Sequence, residues 1–300
     1  MPTGLPPSRH SATEDHPASL TRRAFLASAT AAGIGLAAYA GTYARHQLEV
    51  TNLTVPIPNL PDAFQNFRFV QISDLHLEEF TEAWFLEDVV RRVNALAPEL
   101  VVITGDFISH GPLPHAFAWK TAGLAAEILS TLTAPQRFGI LGNHEAVVGP
   151  SHVIPVLEAH GTPILVDSYT PIERGRDVLW LCGADDAGVL RPDLNLTVPP
   201  FTHGAPTILL CHEPDYADHV RKHPRFPAID LMLSGHSHGG QIRLPVLGPL
   251  ILPPMGQKYT DGLYRIDHMQ LYVNRGIGTV GLPFRLNCPA EITHITLTRA

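Results

Sequence analysis

Leu231-Met232-Leu233-Ser234-Gly235-His236-Ser237-His238-Gly239-Gly240 is the stretch from which the rest of the chain is read. A short apolar run ends in a glycine, and histidines follow at i and i+2. In extended backbone such residues project to the same side. Neutral imidazole is the commonest metal ligand among side chains, and the flanking glycines let the backbone turn and let a ligand approach. One His-x-His pair is equally a turn. Four other apolar runs share the design, however: 67–72 leads to Asp74 and His76, 100–104 to Asp106, 138–141 to Asn143 and His144, and 207–211 to His212.

These runs read as strands. Residues 67–72 alternate, as a half-buried strand does, and 100–104 are continuously apolar, as in a strand buried on both faces. Between them, Phe85, Val89, Val93 and Leu96 recur at helical spacing, so 82–96 is expected to be a helix, with Glu82 at its positive end and Pro98 stopping it. Further helices are expected at 115–132 and 152–159, and strands at 163–166, 178–183, 230–233, 271–274 and 292–297, the last two antiparallel. Alternation of strand and helix implies right-handed crossovers and an at least partly parallel sheet. The inferred architecture is α/β, with two sheets stacked face to face and flanked by helices.

Composition narrows the function classes. Three hundred residues are enough for a substantial core. The net charge of −7, with no run of one sign, argues against a nucleic-acid partner, which needs a basic patch. Cys182, Cys211 and Cys288 are too few for a disulfide framework. They read as buried apolar residues. At the N-terminus, Thr21-Arg22-Arg23-Ala24-Phe25-Leu26 opens a stretch without charge until Arg45. An arginine pair before an apolar run is the twin-arginine export pattern, and Ala38-Tyr39-Ala40 supplies an A-x-A cleavage site. The run is long enough to span a bilayer but is rich in Ala and Gly. Residues 1–40 are therefore read as a twin-arginine signal peptide or membrane anchor, and 48–300 as the folded domain. The twin-arginine translocation machinery is one expected partner, and the destination is the periplasm or the outer face of the cytoplasmic membrane.

At the strand ends, sites of open α/β sheets form. Two carboxylates, four imidazoles and an Asn carboxamide, with no thiolate, suit Mn, Fe, Zn or Co. Asp74, His76, Asp106, Asn143, His212, His236 and His238 are too many for one catalytic metal with an open position. They suit two divalent ions sharing a carboxylate, an arrangement that activates water and clamps a phosphoryl group.

The order Asp74-x-His76, Gly105-Asp106, Gly142-Asn143-His144-Glu145, His212 and Gly235-His236-Ser237-His238 resembles the calcineurin-like metallophosphoesterases over residues 65–240. The resemblance implies a four-layer αββα sandwich with mixed sheets. It implies one metal at Asp74, His76, Asp106 and His238, a second at Asp106, Asn143, His212 and His236, and attack by a metal-bridging hydroxide. It also implies that His144 acts as the general acid facing the leaving-group oxygen. Glu145 either orients His144 or points to solvent. Arg275-Gly276-Ile277-Gly278, Pro283-Phe284-Arg285 and Cys288-Pro289-Ala290-Glu291 look like the exported bacterial phosphodiesterases of the YaeI/YkuE type. Purple acid phosphatases carry a metal-ligating tyrosine three residues after the bridging aspartate. Ser109 stands there in this chain, so no ferric-tyrosinate centre is expected. His110 and His115 read as exposed loop residues, with substrate contact as the alternative.

The function expected is therefore two-metal hydrolysis of a phosphodiester or pyrophosphate. The alternatives are a non-catalytic metal-binding scaffold of the same fold, a hydrolase of another ester or amide, and, within the enzyme reading, a UDP-diacylglucosamine-type pyrophosphatase acting on a lipid-linked substrate. The uncharged, proline-rich stretch 244–257 reads either as loop packed on the core or as an apolar lip beside the metals. Arg243, Arg275 or Arg285 would then grip phosphate. Sequence leaves the oligomeric state open.

Overall fold

A computed structural model describes residues 21–78, 80–111 and 115–300. The chain divides into two units, Met1–Ala38 and Tyr39–Ala300. In the first, helix α1 spans Arg22–Ala38. The helical stretch Arg22–His46 is long and apolar enough to cross a membrane by length and composition.

The second unit holds two mixed sheets. Its elements run β1 (Leu48–Ile57), β2 (Arg68–Ile72), α2 (Ala83–Ala95), β3 (Leu100–Thr104), α3 (His115–Leu129), β4 (Gln136–Ile140), α4 (Asn143–Val148), α5 (Pro150–Ala159), β5 (Ser168–Arg174), β6 (Asp177–Gly183), α6 (Leu194–Thr197), β7 (Thr207–Leu210), α7 (Ala217–Val220), β8 (Leu231–Ser234), a small β9–β10 hairpin (Arg243–Leu244 and Gly248–Pro249), β11 (Gly262–Ile266), β12 (Met269–Val273) and β13 (Ala290–Arg299). One sheet has the order β1-β13-β2-β3-β4 and the other β11-β12-β8-β7-β6-β5. In the first, β2, β3 and β4 are parallel neighbours. In the second, β6, β7, β8 and β12 are.

The facing sheets bury Phe69, Leu100 and Val102 against Leu181, Ile208, Leu210 and Leu233. The outer face of the first sheet, with Val70, Ile72, Val101 and Ile103, packs under Phe85, Val89, Val93, Ala122 and Leu157 of α2, α3 and α5. The continuous apolar run of β3 is thus explained: alternate residues serve the two cores. On the outer face of the second sheet, Leu209, Met232 and Leu271 lie under Tyr216, Val220 and Phe226, among the short helices. The layers are helix, sheet, sheet and short helix, the four-layer order expected from the sequence.

Three expectations needed correction. Residues 163–166 form no strand; Ile164 makes one bridge to Gly139. The late strands are antiparallel on one side only. β13 runs antiparallel to β2 but parallel to β1, and β12 antiparallel to β11 but parallel to β8. β1 was not foreseen. Its Pro56 forbids a central position, and β1 is an edge strand.

Candidate metal centre

The predicted residues leave the carboxyl ends of strands from both sheets. Asp74 and His76 follow β2, Asp106 follows β3, Asn143 and His144 follow β4 and open α4, His212 follows β7, and His236 and His238 follow β8. Five of them, Asp74, His76, Asp106, His236 and His238, have positive φ of 45–67°. Such backbone is costly for residues with a Cβ and gathers at functional sites. It turns each side chain sharply off its strand, and glycines make the turns possible. Gly105 has φ +90°, and a Cβ there would stand 2.7 Å from His212 Nδ1.

The structure brings the seven expected ligands together. His76 Nε2 lies 3.0 Å from His238 Nε2, and His238 Nε2 is 3.4 Å from Asp74 Oδ1. Asp106 Oδ2 is 3.1 Å from His212 Nε2 and 3.5 Å from His76 Nε2, so one carboxylate faces both halves of the cluster. His236 joins Asp106 and His212. The outward ring nitrogens are held from behind: His76 Nδ1 by Ser109 Oγ at 2.9 Å, His212 Nδ1 by the Thr104 carbonyl at 2.6 Å and His236 Nε2 by the Pro254 carbonyl at 2.8 Å. Partners of this kind fix tautomer and orientation in metal sites.

The donor set fits a metal. Asn143 Oδ1 is buried and makes no hydrogen bond, and an unpaired buried polar atom is expensive. Burial disfavours charge on His212, yet Asp106 and Asp74 raise its pKa well above the imidazole range. Burial holds His76 well below that range, although Asp106 pulls the other way. Burial pushes Asp74 up to about 6. Burial raises Asp106 as well, but the charge of His212 pulls the other way and the carboxylate is held well below its usual range. A cation in place of the proton on His212 would neutralise the same carboxylates.

Residues 67–240 match the family model described as calcineurin-like phosphoesterase. The chain belongs to the calcineurin-like metallophosphoesterase family. It is 35% identical over 290 residues to the metallophosphoesterase YkuE of Bacillus subtilis, covering 93% of this chain and 98% of that one. It is 31% identical over 240 residues to phosphodiesterase YaeI of Escherichia coli K12, covering 77% and 82%. It is also 26% identical over 293 residues to the UDP-2,3-diacylglucosamine pyrophosphatase LpxG of Chlamydia muridarum, covering 77% and 84%. A calcineurin-like metallophosphoesterase is a hydrolase.

Other sequence-derived roles change in this metallophosphoesterase. Glu145 does not meet solvent. It is buried, and its carboxylate accepts the backbone N–H groups of Asp106 (2.9 Å), Ile108 (3.1 Å) and Gly142 (2.9 Å), tying the β3 and β4 loops together. None of the three arginines reaches the cleft. Arg285 is fully buried and donates to the carbonyls of Arg275, Gly276, Gly278 and Cys288. Arg275 pairs with Glu291 and Glu49, and Arg243 with Asp261. Local sequence shows a cation near the motifs but not the carboxylates and carbonyls that capture it. Ser109 and His110 were missed as supporting residues because their contacts, to His76 and His144, cross between loops.

Proposed function

We propose that the chain hydrolyses phosphodiesters or pyrophosphates with two divalent metals, one held by Asp74, His76, Asp106 and His238 and one by Asp106, Asn143, His212 and His236. The observation that carries this is the Asp106 carboxylate facing both sets of imidazoles. Bound there, the metals supply an activated water and a clamp for phosphoryl oxygens. The remaining work belongs to side chains. His144, outside both ligand sets, lines the cleft. There it stabilises the leaving-group oxygen. Metal analysis of purified protein and an assay of phosphomonoesters, phosphodiesters and nucleoside diphosphate-linked lipids test this reading. Up to two ions per chain and diester or pyrophosphate cleavage are expected. Full turnover after metal stripping in chelator refutes it.

A lipid-linked substrate is favoured by the cleft wall. The space beside the ligands, about 400 Å³, is lined by Ile242, Leu250, Ile251, Pro253, Val280 and Leu282. Among the described lining residues there is no Lys or Arg, so the wall offers an acyl chain burial but offers phosphate no guanidinium. The name of the Chlamydia relative, a pyrophosphatase of a diacylated sugar nucleotide, supports the same class.

For export, the Arg22-Arg23 pair before the apolar stretch supports twin-arginine routing. Retention of the helix as an anchor is favoured over cleavage after Ala40. Ala40 is buried in the folded unit, its carbonyl accepts the Arg285 N–H at 3.1 Å, and Gly41 lies against Phe284.

A further inference from the structure

His110 is in none of the candidate metal-ligand clusters among the described residues, yet it meets the ring on which the proposed leaving-group role depends. It sits on the loop that leaves β3 after Asp106, and Glu145 pins this loop to α4 by accepting the Asp106 and Ile108 amides. The pinning brings the His110 backbone N–H to 2.9 Å from His144 Nδ1. The His110 ring lies 4.2 Å from the His144 ring, with Nδ1 to Nδ1 at 3.0 Å.

A backbone N–H can only donate, so His144 Nδ1 is an acceptor and carries no hydrogen. Two bare ring nitrogens at 3.0 Å would set lone pair against lone pair, so the hydrogen between the rings is on His110 Nδ1. Both donors of His110 therefore converge on one lone pair. In a neutral imidazole, a hydrogen excluded from Nδ1 resides on Nε2, because the partner of one nitrogen decides the state of the other. A carboxylate in the same place would impose the opposite tautomer. On another side, His76 packs against the His144 ring at 4.6 Å and 76°, which restricts rotation.

The geometry points to His110 as a positioning residue that fixes the ring and tautomer of His144, so that His144 presents Nε2–H to the cleft as a hydrogen-bond donor to the departing oxygen. This rests on the leaving-group role proposed above for His144. A ring nitrogen of His144 lies within 4.8 Å of a nitrogen of His76 and a carboxylate oxygen of Asp106, and the residue lines the cleft.

The test is ¹⁵N NMR of the full chain, zinc-loaded and labelled in its histidine rings, with His144 assigned by the signals lost in His144→Gln. The expected spectrum shows a bare Nδ1 and a protonated Nε2 at His144. His110→Ala should disturb that pattern and lower kcat by about tenfold, the rate equivalent of one hydrogen bond, with metal content and KM unchanged. His110→Asn, whose amide can donate, should recover part of the loss. In a His144→Ala background, His110→Ala should add nothing. A hydrogen on His144 Nδ1 in the parent protein overturns the assignment. So does a His110→Ala loss that persists undiminished without His144, which would mark a general structural role. Unchanged turnover in His144→Ala alone defeats the leaving-group role and the functional half of this inference. The NMR tautomer is read independently of turnover.

Discussion

At the scale of single residues, two side chains show how a charge or ring near the motifs acquires its role. Arg285 has no exposure and spends its guanidinium on backbone carbonyls of the 275–278 turn and Cys288. That turn supports the metal loop: the Gly278 N–H donates to the Asp74 carbonyl at 2.7 Å, and the Ile277 N–H to Ser73 at 2.9 Å. Arg285→Met would leave these carbonyls unpaired, and a loss on the order of 3 kcal/mol is expected. Denaturant unfolding should show that loss. Stability equal to the parent's with weakened substrate binding would return Arg285 to the phosphate. His144→Ala should behave differently. It should keep its metal and its melting temperature but turn over about 10²–10⁴-fold more slowly, the usual range for an acid–base residue. The loss should be smaller with good leaving groups. Missing metal in that variant would make His144 a ligand.

At the scale of elements, the segment around the β9–β10 hairpin forms one wall of the cleft. Its backbone is tied to the neighbouring loop: the Arg243 N–H donates to the Leu286 carbonyl at 2.9 Å, and Gln241 Nε2 to the Leu282 carbonyl at 2.9 Å. Leu250 and Ile251 are 53% and 75% exposed and line the metal cleft. Exposed apolar groups beside a reactive centre mark an interaction site. Leu250→Asp with Ile251→Asp is expected to lower activity on an acylated pyrophosphate much more than on a small soluble diester. Metal content and melting temperature should stay at parental values. Equal loss on both substrates would make the segment part of the general scaffold.

At the scale of the whole molecule, the stacked sheets bring five strand ends to one place, and Arg22–Ala38 is an apolar helix of another kind. Arg22→Lys with Arg23→Lys is expected to hold the protein in the cytoplasm, as read by fractionation. Undiminished export would refute twin-arginine routing. Mass measurement of the exported protein tests retention of the anchor. The full-length mass is expected, and a form starting near Gly41 would show that the packed segment around Ala40 is cut.

Much of this was legible in the sequence because the determinants are local. A strand ending in Gly-Asp or Gly-His announces itself by an apolar run and a turn, and the spacing of Phe85, Val89 and Val93 predicts α2 to within a residue at either end. The ligand types and the family follow from the same short motifs. What lies between the loops was decided only by tertiary structure. Pairing of β1 with β13 joins residues about 240 positions apart in sequence, and nothing in either strand names the other. Arg285 lost its expected place at the phosphate because three carbonyls of the 275–278 turn and that of Cys288 surround it. Glu145, read beside His144 because the two are neighbours in sequence, points instead to the amides of another loop. Residue types and local backbone preferences are properties of the chain, but which donor meets which acceptor depends on how the two sheets stack.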